Sequence, residues 1–185
     1  SRDTGSAARM VNGYLDEFMV YKGVSFNANT VIERYQTGRA GNYNTANSAC
    51  VLHIKADSTY GAQTFVDASP SGHTITNVAG VIHHIDDNRT ANTALYFDGF
   101  SEISLPTNDA FNFGSGDFTM ELWYKPESWP DGTLIKLATG DASSGILHLS
   151  TNTVGEVNWS DANGTSDISG NILFGTKSTH KWAHI

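Results

Sequence analysis

Beyond residue 48 the chain keeps repeating one pattern, a short apolar run followed by a polar break. The runs are CVLHI (50–54), QTFVDAS (63–69), HTITNVAGVIHHI (73–85), TALYF (93–97), SEISLP (101–106), DFTMELWYK (117–125), GTLIKLA (132–138), GILHLS (145–150), GEVNWS (155–160), NILFGT (171–176) and KWAHI (181–185). Many short runs at this spacing predict strands of an all-β sandwich or barrel. Between Asp117 and Lys125 the alternation sets Phe118, Met120, Leu122 and Tyr124 on one side and Thr119, Glu121, Trp123 and Lys125 on the other, which is a strand with one core face. Asp98-Gly99, Gly114-Ser115-Gly116, Asp131-Gly132 and Asn163-Gly164 supply breaks that tolerate positive φ.

The front of the chain reads differently. Tyr14, Phe18 and Val20, with the offset set Leu15, Met19 and Tyr21, form a dense apolar run bounded by Gly13 and Gly23 that predicts one well-buried strand over 14–21. Thr30 and Glu33 have capping-box spacing and Gly38 supplies a stop, so one or two helical turns are expected within 29–37. TGRAGNYNTAN (37–47) is polar, rich in Gly and Asn and without period, the composition of a linker, which puts a boundary near Ser48.

Composition narrows the functional classes. Only 16% of residues are charged, against about 25% in an average soluble domain. Eleven Lys and Arg against 19 Asp and Glu give a net charge of −8. With no basic cluster, attraction to a phosphate backbone or to anionic lipid is not expected. No apolar run is long enough to cross a membrane, and the first twenty residues lack a basic start followed by a continuous apolar stretch. Cys50 is the single cysteine, so no intrachain disulfide can form, and a buried position as a small hydrophobe is expected for it.

Several segments, in order, resemble the laminin G-like or concanavalin A-like jelly-roll family, which includes the pentraxins. VLHIKADSTYGAQTFVDASPSGHTITNVAG looks like the family's opening strand, its Asp-Ser-Ser-Gly-type loop (here Asp67 to His73) and the strand that follows. TALYFDGFSEISLP resembles its Ala-Leu-x-Phe-Asp-Gly element, FNFGSGDFTMELWYKPESW its Asp-Phe-Thr-x-Glu-x-Trp strand, and KWAHI the start of its Trp-x-His strand. GYLDEFMVYKG looks like the family's last strand. The resemblance therefore implies an incomplete two-sheet antiparallel jelly-roll sandwich in tandem: residues 1–26 as the C-terminal strand of a preceding module, 27–48 as a short helix and linker, and 49–185 as the N-terminal two thirds of a second module. An unfinished sandwich would expose sheet edges, so low solubility is expected of the isolated chain.

By the same resemblance the function is that of a non-catalytic carbohydrate-binding or adhesion module in a larger extracellular or virion-surface protein of the phage tail type. Its partners would be a glycan or cell-surface ligand and neighbouring copies of the module, with no nucleic acid and no membrane span. The alternatives are an accessory module of a multidomain glycoside hydrolase or sialidase, and a purely structural spacer. Related glucanases carry paired carboxylates in a Glu-x-Asp-x-x-Glu strand. Here Glu121 has Trp123 at i+2 and Glu127 lies beside Pro126, so no on-chain glycosidase is expected and Glu121 reads as an exposed strand carboxylate. Asp141, in the TGDASSG loop, resembles the position where pentraxin-like members begin a calcium site, which makes calcium the implied cofactor. Asp16 and Asp98 also fall in family motif positions, though an Asp beside Gly is more often a turn former.

Among the histidines, His83 and His84 are adjacent and would point to opposite faces of a strand, so they do not share an ion. His180 and His184 lack the Glu of a zinc-protease motif, and His73 and His148 read as polar strand or loop residues. Trp129, in the PESWPDG turn, is the loop-borne candidate for covering the apolar face of a sugar ring, whereas Trp123 and Trp159 read as packing residues. Asn88, Asn158 and Asn163 lie in glycosylation sequons, which matter only in a eukaryotic secretory host.

Overall fold

A computed structural model of the chain describes residues 11–39, 48–85, 93–106, 108–128, 132–138, 145–152, 156–160, 169–173 and 179–185. These residues are mostly strands in antiparallel sheets, joined by one α-helix, as the all-β expectation requires. The largest sheet has seven strands. Its main path runs through β13 (Ala183–His184), β8 (Phe118–Pro126), β1 (Asn12–Lys22), β2 (Cys50–Lys55) and β3 (Val66–Asp67), while β6 (Ala94–Asp98) pairs with β1 and β5 (Ile82–His84) pairs with β6. A four-stranded meander is built from β9 (Gly132–Ala138), β10 (Gly145–Thr151), β11 (Glu156–Ser160) and β12 (Ser169–Leu173). β4 (Thr76–Ala79) and β7 (Glu102–Ser104) form a separate ribbon.

The position of β1 organises everything else. One edge pairs with β8 along its whole length, and the other is divided between β6 (residues 12–15) and β2 (residues 18–21). At this fork β1 carries a bulge: Asp16 opposes Trp123 and Met19 opposes Glu121, so two β1 residues face one on β8, and Glu17 takes a left-handed φ of 51°. The extra residue resets the alternation, which keeps Leu15 before the bulge and Phe18 and Val20 after it on the same, core-facing side.

That side is the hydrophobic core. Leu15, Phe18 and Val20 pack with Leu52, Ile54, Leu95, Phe97, Leu122 and Tyr124, all buried. Val157 of β11 belongs to the same cluster, which ties the meander to the large sheet. Phe118 and Met120 pack against it from β8, so the alternation read between Asp117 and Lys125 holds side for side. The run QTFVDAS yields only the two residues of β3.

The helix α1 (Ala28–Arg39) differs from expectation in two ways. Its N-cap is Asn27, three residues ahead of Thr30: the Asn27 side-chain oxygen accepts from the Thr30 amide at 3.0 Å and its carbonyl from the Val31 amide at 3.0 Å. It also runs for 12 residues, through Gly38 instead of stopping before it. Tertiary anchors explain the length, because Arg34 and Tyr35 fasten the helix to the sheet where no continuous apolar stripe does.

Candidate functional site: the polar face of the seven-stranded sheet

The face of the large sheet opposite the core is lined by Tyr14, Met19, Tyr21, His53, Glu121, Trp123 and Lys125, a mixture of rings and charges. It divides into two halves at the β1 bulge.

One half is closed by α1. The Arg34 guanidinium forms an ion pair with Glu121, lies 5.0 Å from the Tyr21 ring centroid, and donates to the Tyr21 hydroxyl. Tyr35 stacks on Trp123 with ring centroids 5.4 Å apart, and His184 of β13 packs on the same indole at 4.9 Å. Thr119 fixes the approach to α1 by accepting from the Phe26 amide and donating to the Val24 carbonyl. Glu121 is therefore only 3% exposed, which corrects its reading as an exposed carboxylate. Burial opposes its ionisation, but His184 and Arg34 outweigh that and hold the carboxyl below the usual glutamate range. Burial, reinforced by the Glu121 carboxylate, drives the Tyr21 phenol far above its ordinary value.

At the fork the Glu17 carboxylate meets His53 Nε2 in a fully buried contact. The His53 amide donates to Asp67 Oδ1 at 2.8 Å, and the Asp67 carboxylate also accepts from the amides of Ser69 (2.9 Å) and His73 (2.8 Å). Burial opposes ionisation of Asp67, yet the amides of His53, His73 and Ser69 hold its carboxyl below the ordinary aspartate value. Asp67 thus organises the 67–73 loop instead of serving a ligand.

In the other half Tyr14 and Lys125 are buried, Tyr96 and His84 are half-buried, and the Tyr60 ring is exposed. Tyr14, Tyr96 and Lys125 lie in one cross-strand row, because Tyr14 pairs with Tyr96 on β6 and with Lys125 on β8. The Tyr14 and Tyr96 centroids are 5.1 Å apart, and His84 of β5 packs 5.8 Å from Tyr14 and 5.6 Å from Tyr96. Tyr60 sets its edge against His84 at 5.2 Å and is 61% exposed. Glu127 stands at the rim, where Oε1 accepts from the Tyr14 hydroxyl at 3.2 Å and its own amide donates to the Asn12 carbonyl at 3.1 Å. Burial, then the Glu127 carboxylate, raises the Tyr96 phenol; burial lowers the Lys125 ammonium against the opposing pull of Glu127.

Little else among the described residues is equipped for chemistry. His83 and His84 do face opposite ways. Both ring nitrogens of His83 lie within hydrogen-bonding distance of backbone carbonyls, Nδ1 at 2.9 Å from Ala56 and Nε2 at 3.1 Å from Thr64, beside a cleft of about 260 Å³. Cys50 is buried and free, and burial pushes its thiol up to about 11, which suppresses the thiolate. His180 is exposed with φ 63°, and His184 belongs to the Trp123 cluster.

Trp129 and Asp141 both lie outside the described residues. Calcium finds no fit among those described: no three His, Cys, Asp or Glu side chains are grouped to hold an ion. Asp98 uses its carboxylate on the amides of Phe100 (2.9 Å) and Ser101 (2.8 Å), and Asp16 is buried on the sheet beside the bulge. The aromatic row is not legible in the sequence because its rings come from three strands and a turn. The one available signal was in TALYF, where Tyr96 alternates with Leu95 and Phe97 and so must leave the core. Compared with protein-family models, curated proteins and solved structures, the chain matches none.

Proposed function

We propose that the chain is a non-catalytic carbohydrate-binding or adhesion module of a larger extracellular or virion-surface protein, built on a concanavalin A-like jelly roll. The observation that supports this reading is the exposed ring of Tyr60, packed on the half-buried His84, which leads to Tyr96 and the buried Tyr14 on the sheet, with Glu127 at the rim. Ring faces cover the apolar face of a pyranose while a few polar groups at the rim orient its hydroxyls. In this reading Trp129, two residues beyond Glu127 in the chain, adds a loop-borne ring, and Asp141 begins a calcium site completed by other residues.

Glycan-array screening followed by calorimetric titration of the best ligand tests the proposal. Tyr60→Ala should weaken binding at least about tenfold while leaving the unfolding transition in place, since most of this ring faces solvent. Binding that survives Tyr60→Ala and Tyr96→Ala unchanged would remove the platform from the mechanism.

A further inference from the structure

We propose, resting on the carbohydrate reading above, that His83 is a positioning residue for ligand binding: it fixes the loop over 56–64 so that the Tyr60 ring is set for a sugar before one arrives. Tyr60 is the most exposed ring of the row, 61% open to solvent, and it lies in the loop between β2 and β3. A ring in such a place is ordinarily costly to use, because a ligand that settles on it must also arrest the backbone beneath. Here the fold has already arrested it.

The turn comes first. The Ala62 amide donates to the Thr59 carbonyl at 3.0 Å and Gly61 takes φ 77°, so Tyr60 and Gly61 form the corner of a tight turn that needs glycine in its second central position. β5 grips that turn through the backbone of His83: the Gly61 amide donates to the His83 carbonyl at 2.7 Å, and the His83 amide to the Ala62 carbonyl at 2.9 Å. The side chain secures both ends of the loop. Nδ1 lies 2.9 Å from the Ala56 carbonyl and 3.1 Å from the Thr93 hydroxyl, and Nε2 lies 3.1 Å from the Thr64 carbonyl. The Thr93 hydroxyl also accepts from the Ser58 amide at 3.2 Å. His83 is 1% exposed and its ring stacks on Phe65 at 5.2 Å, so the grip is internal while the ring it serves is outside. Buried polar networks rigidify what they join.

The neighbouring histidine completes the arrangement. On β5, His83 pairs with Leu95 and His84 with Ala94, and successive strand side chains point to opposite faces, so His84 emerges on the other side and meets the Tyr60 ring at 5.2 Å. One histidine sets the loop and the next supports the ring.

The test uses the 185-residue chain with cellohexaose, laminarihexaose and mannohexaose, read by calorimetric titration and by amide hydrogen exchange. His83→Phe keeps a ring against Phe65 and the backbone bonds to Gly61 and Ala62 but loses both ring nitrogens, whereas His83→Gln keeps a side-chain donor for the Thr64 carbonyl. Expected are a Gly61 amide protected in the wild type, exchange there at least about tenfold faster in His83→Phe, affinity at least about tenfold weaker in the same variant, and partial recovery of both in His83→Gln. In a Tyr60→Ala background His83→Phe should bring no further loss of affinity, because a residue that acts through Tyr60 then has nothing left to position. A merely structural role would weaken binding in both backgrounds. Should His83→Phe fail to fold, the Tyr60-dependent loss is read from Thr93→Val, which removes the hydroxyl that joins His83 to the Ser58 amide.

Wild-type affinity in the variant, or an equal loss in the Tyr60→Ala background, would overturn the role of His83. So would a Gly61 amide that exchanges at the unprotected rate in the wild type, a result that needs neither ligand nor variant. Failure of all three sugars to bind the wild type would instead bring down the carbohydrate reading, and this inference with it.

Discussion

Replacing Gly13 with alanine should damage the sheet at the point where β1, β6 and β8 meet. Gly13 has φ 150°, and a Cβ built there would lie 2.3 Å from the Lys125 carbonyl oxygen and 3.0 Å from the Pro126 Cα. Both obstacles are backbone, so relief requires β1 to withdraw from β8, which breaks the bond from the Glu127 amide to Asn12. The strained backbone costs about 1–3 kcal/mol and the lost hydrogen bond about 1 kcal/mol, giving about 2–4 kcal/mol in all. For a chain of this size that lowers the melting temperature by roughly 5–15 °C. Gly23→Ala is the matched control, because Gly23 also holds positive φ (75°) but no atom lies within 4 Å of its added Cβ. It should cost about 1 kcal/mol. Thermal unfolding followed by circular dichroism compares the two directly. Melting temperatures that agree to within about 2 °C would refute the claim that the β1–β8 contact at Gly13 is too close for a side chain.

Three further outcomes follow from the buried polar groups. Arg34→Ala leaves the buried Glu121 carboxylate with His184 as its remaining partner beneath α1 and should cost about 3 kcal/mol in urea titrations, with Arg34→Lys restoring only part because the fork geometry is lost; wild-type stability for Arg34→Ala would contradict the pair. Glu121 and Asp67 have folded-state values below their ordinary 4.5 and 3.8, so their contribution is complete above those values and is lost as the pH falls through the folded ones. The melting temperature should therefore be level above about pH 5 and decline below it, and Glu121→Gln and Asp67→Asn should each flatten that decline. Cys50 should resist a thiol reagent at pH 8 and react at once in denaturant; rapid labelling of the native protein would show that β2 opens far more freely than its burial implies.

Much of the strand pattern was legible in the sequence because a two-residue period with one apolar side leaves little freedom, and β8 shows it residue by residue. What escaped was whatever depends on distant partners. Glu121 looked like a solvent-facing carboxylate because its partner, Arg34, lies 87 positions earlier, on a helix with little apolar period of its own. The capping-box spacing of Thr30 with Glu33 points to a cap at Thr30, whereas the Asn27 side chain, three residues earlier, takes the Thr30 amide and caps the helix. The aromatic row was invisible for the same reason: each ring is ordinary in its own segment, and the cross-strand register of β1 with β6 and β8 brings Tyr14, Tyr96 and Lys125 into line.

The central placement of β1 also sets a timetable for synthesis. Its ladder with β8 joins Gly13 to Pro126, so β1 emerges from the ribosome long before the partner of that edge, which is the last of its neighbours to be made. At about 5–20 residues per second it waits roughly 5–20 s for that partner. Throughout the wait an apolar ribbon is available to any other nascent chain, which makes translation speed and chaperone capture between these two strands a determinant of how much protein reaches its native form.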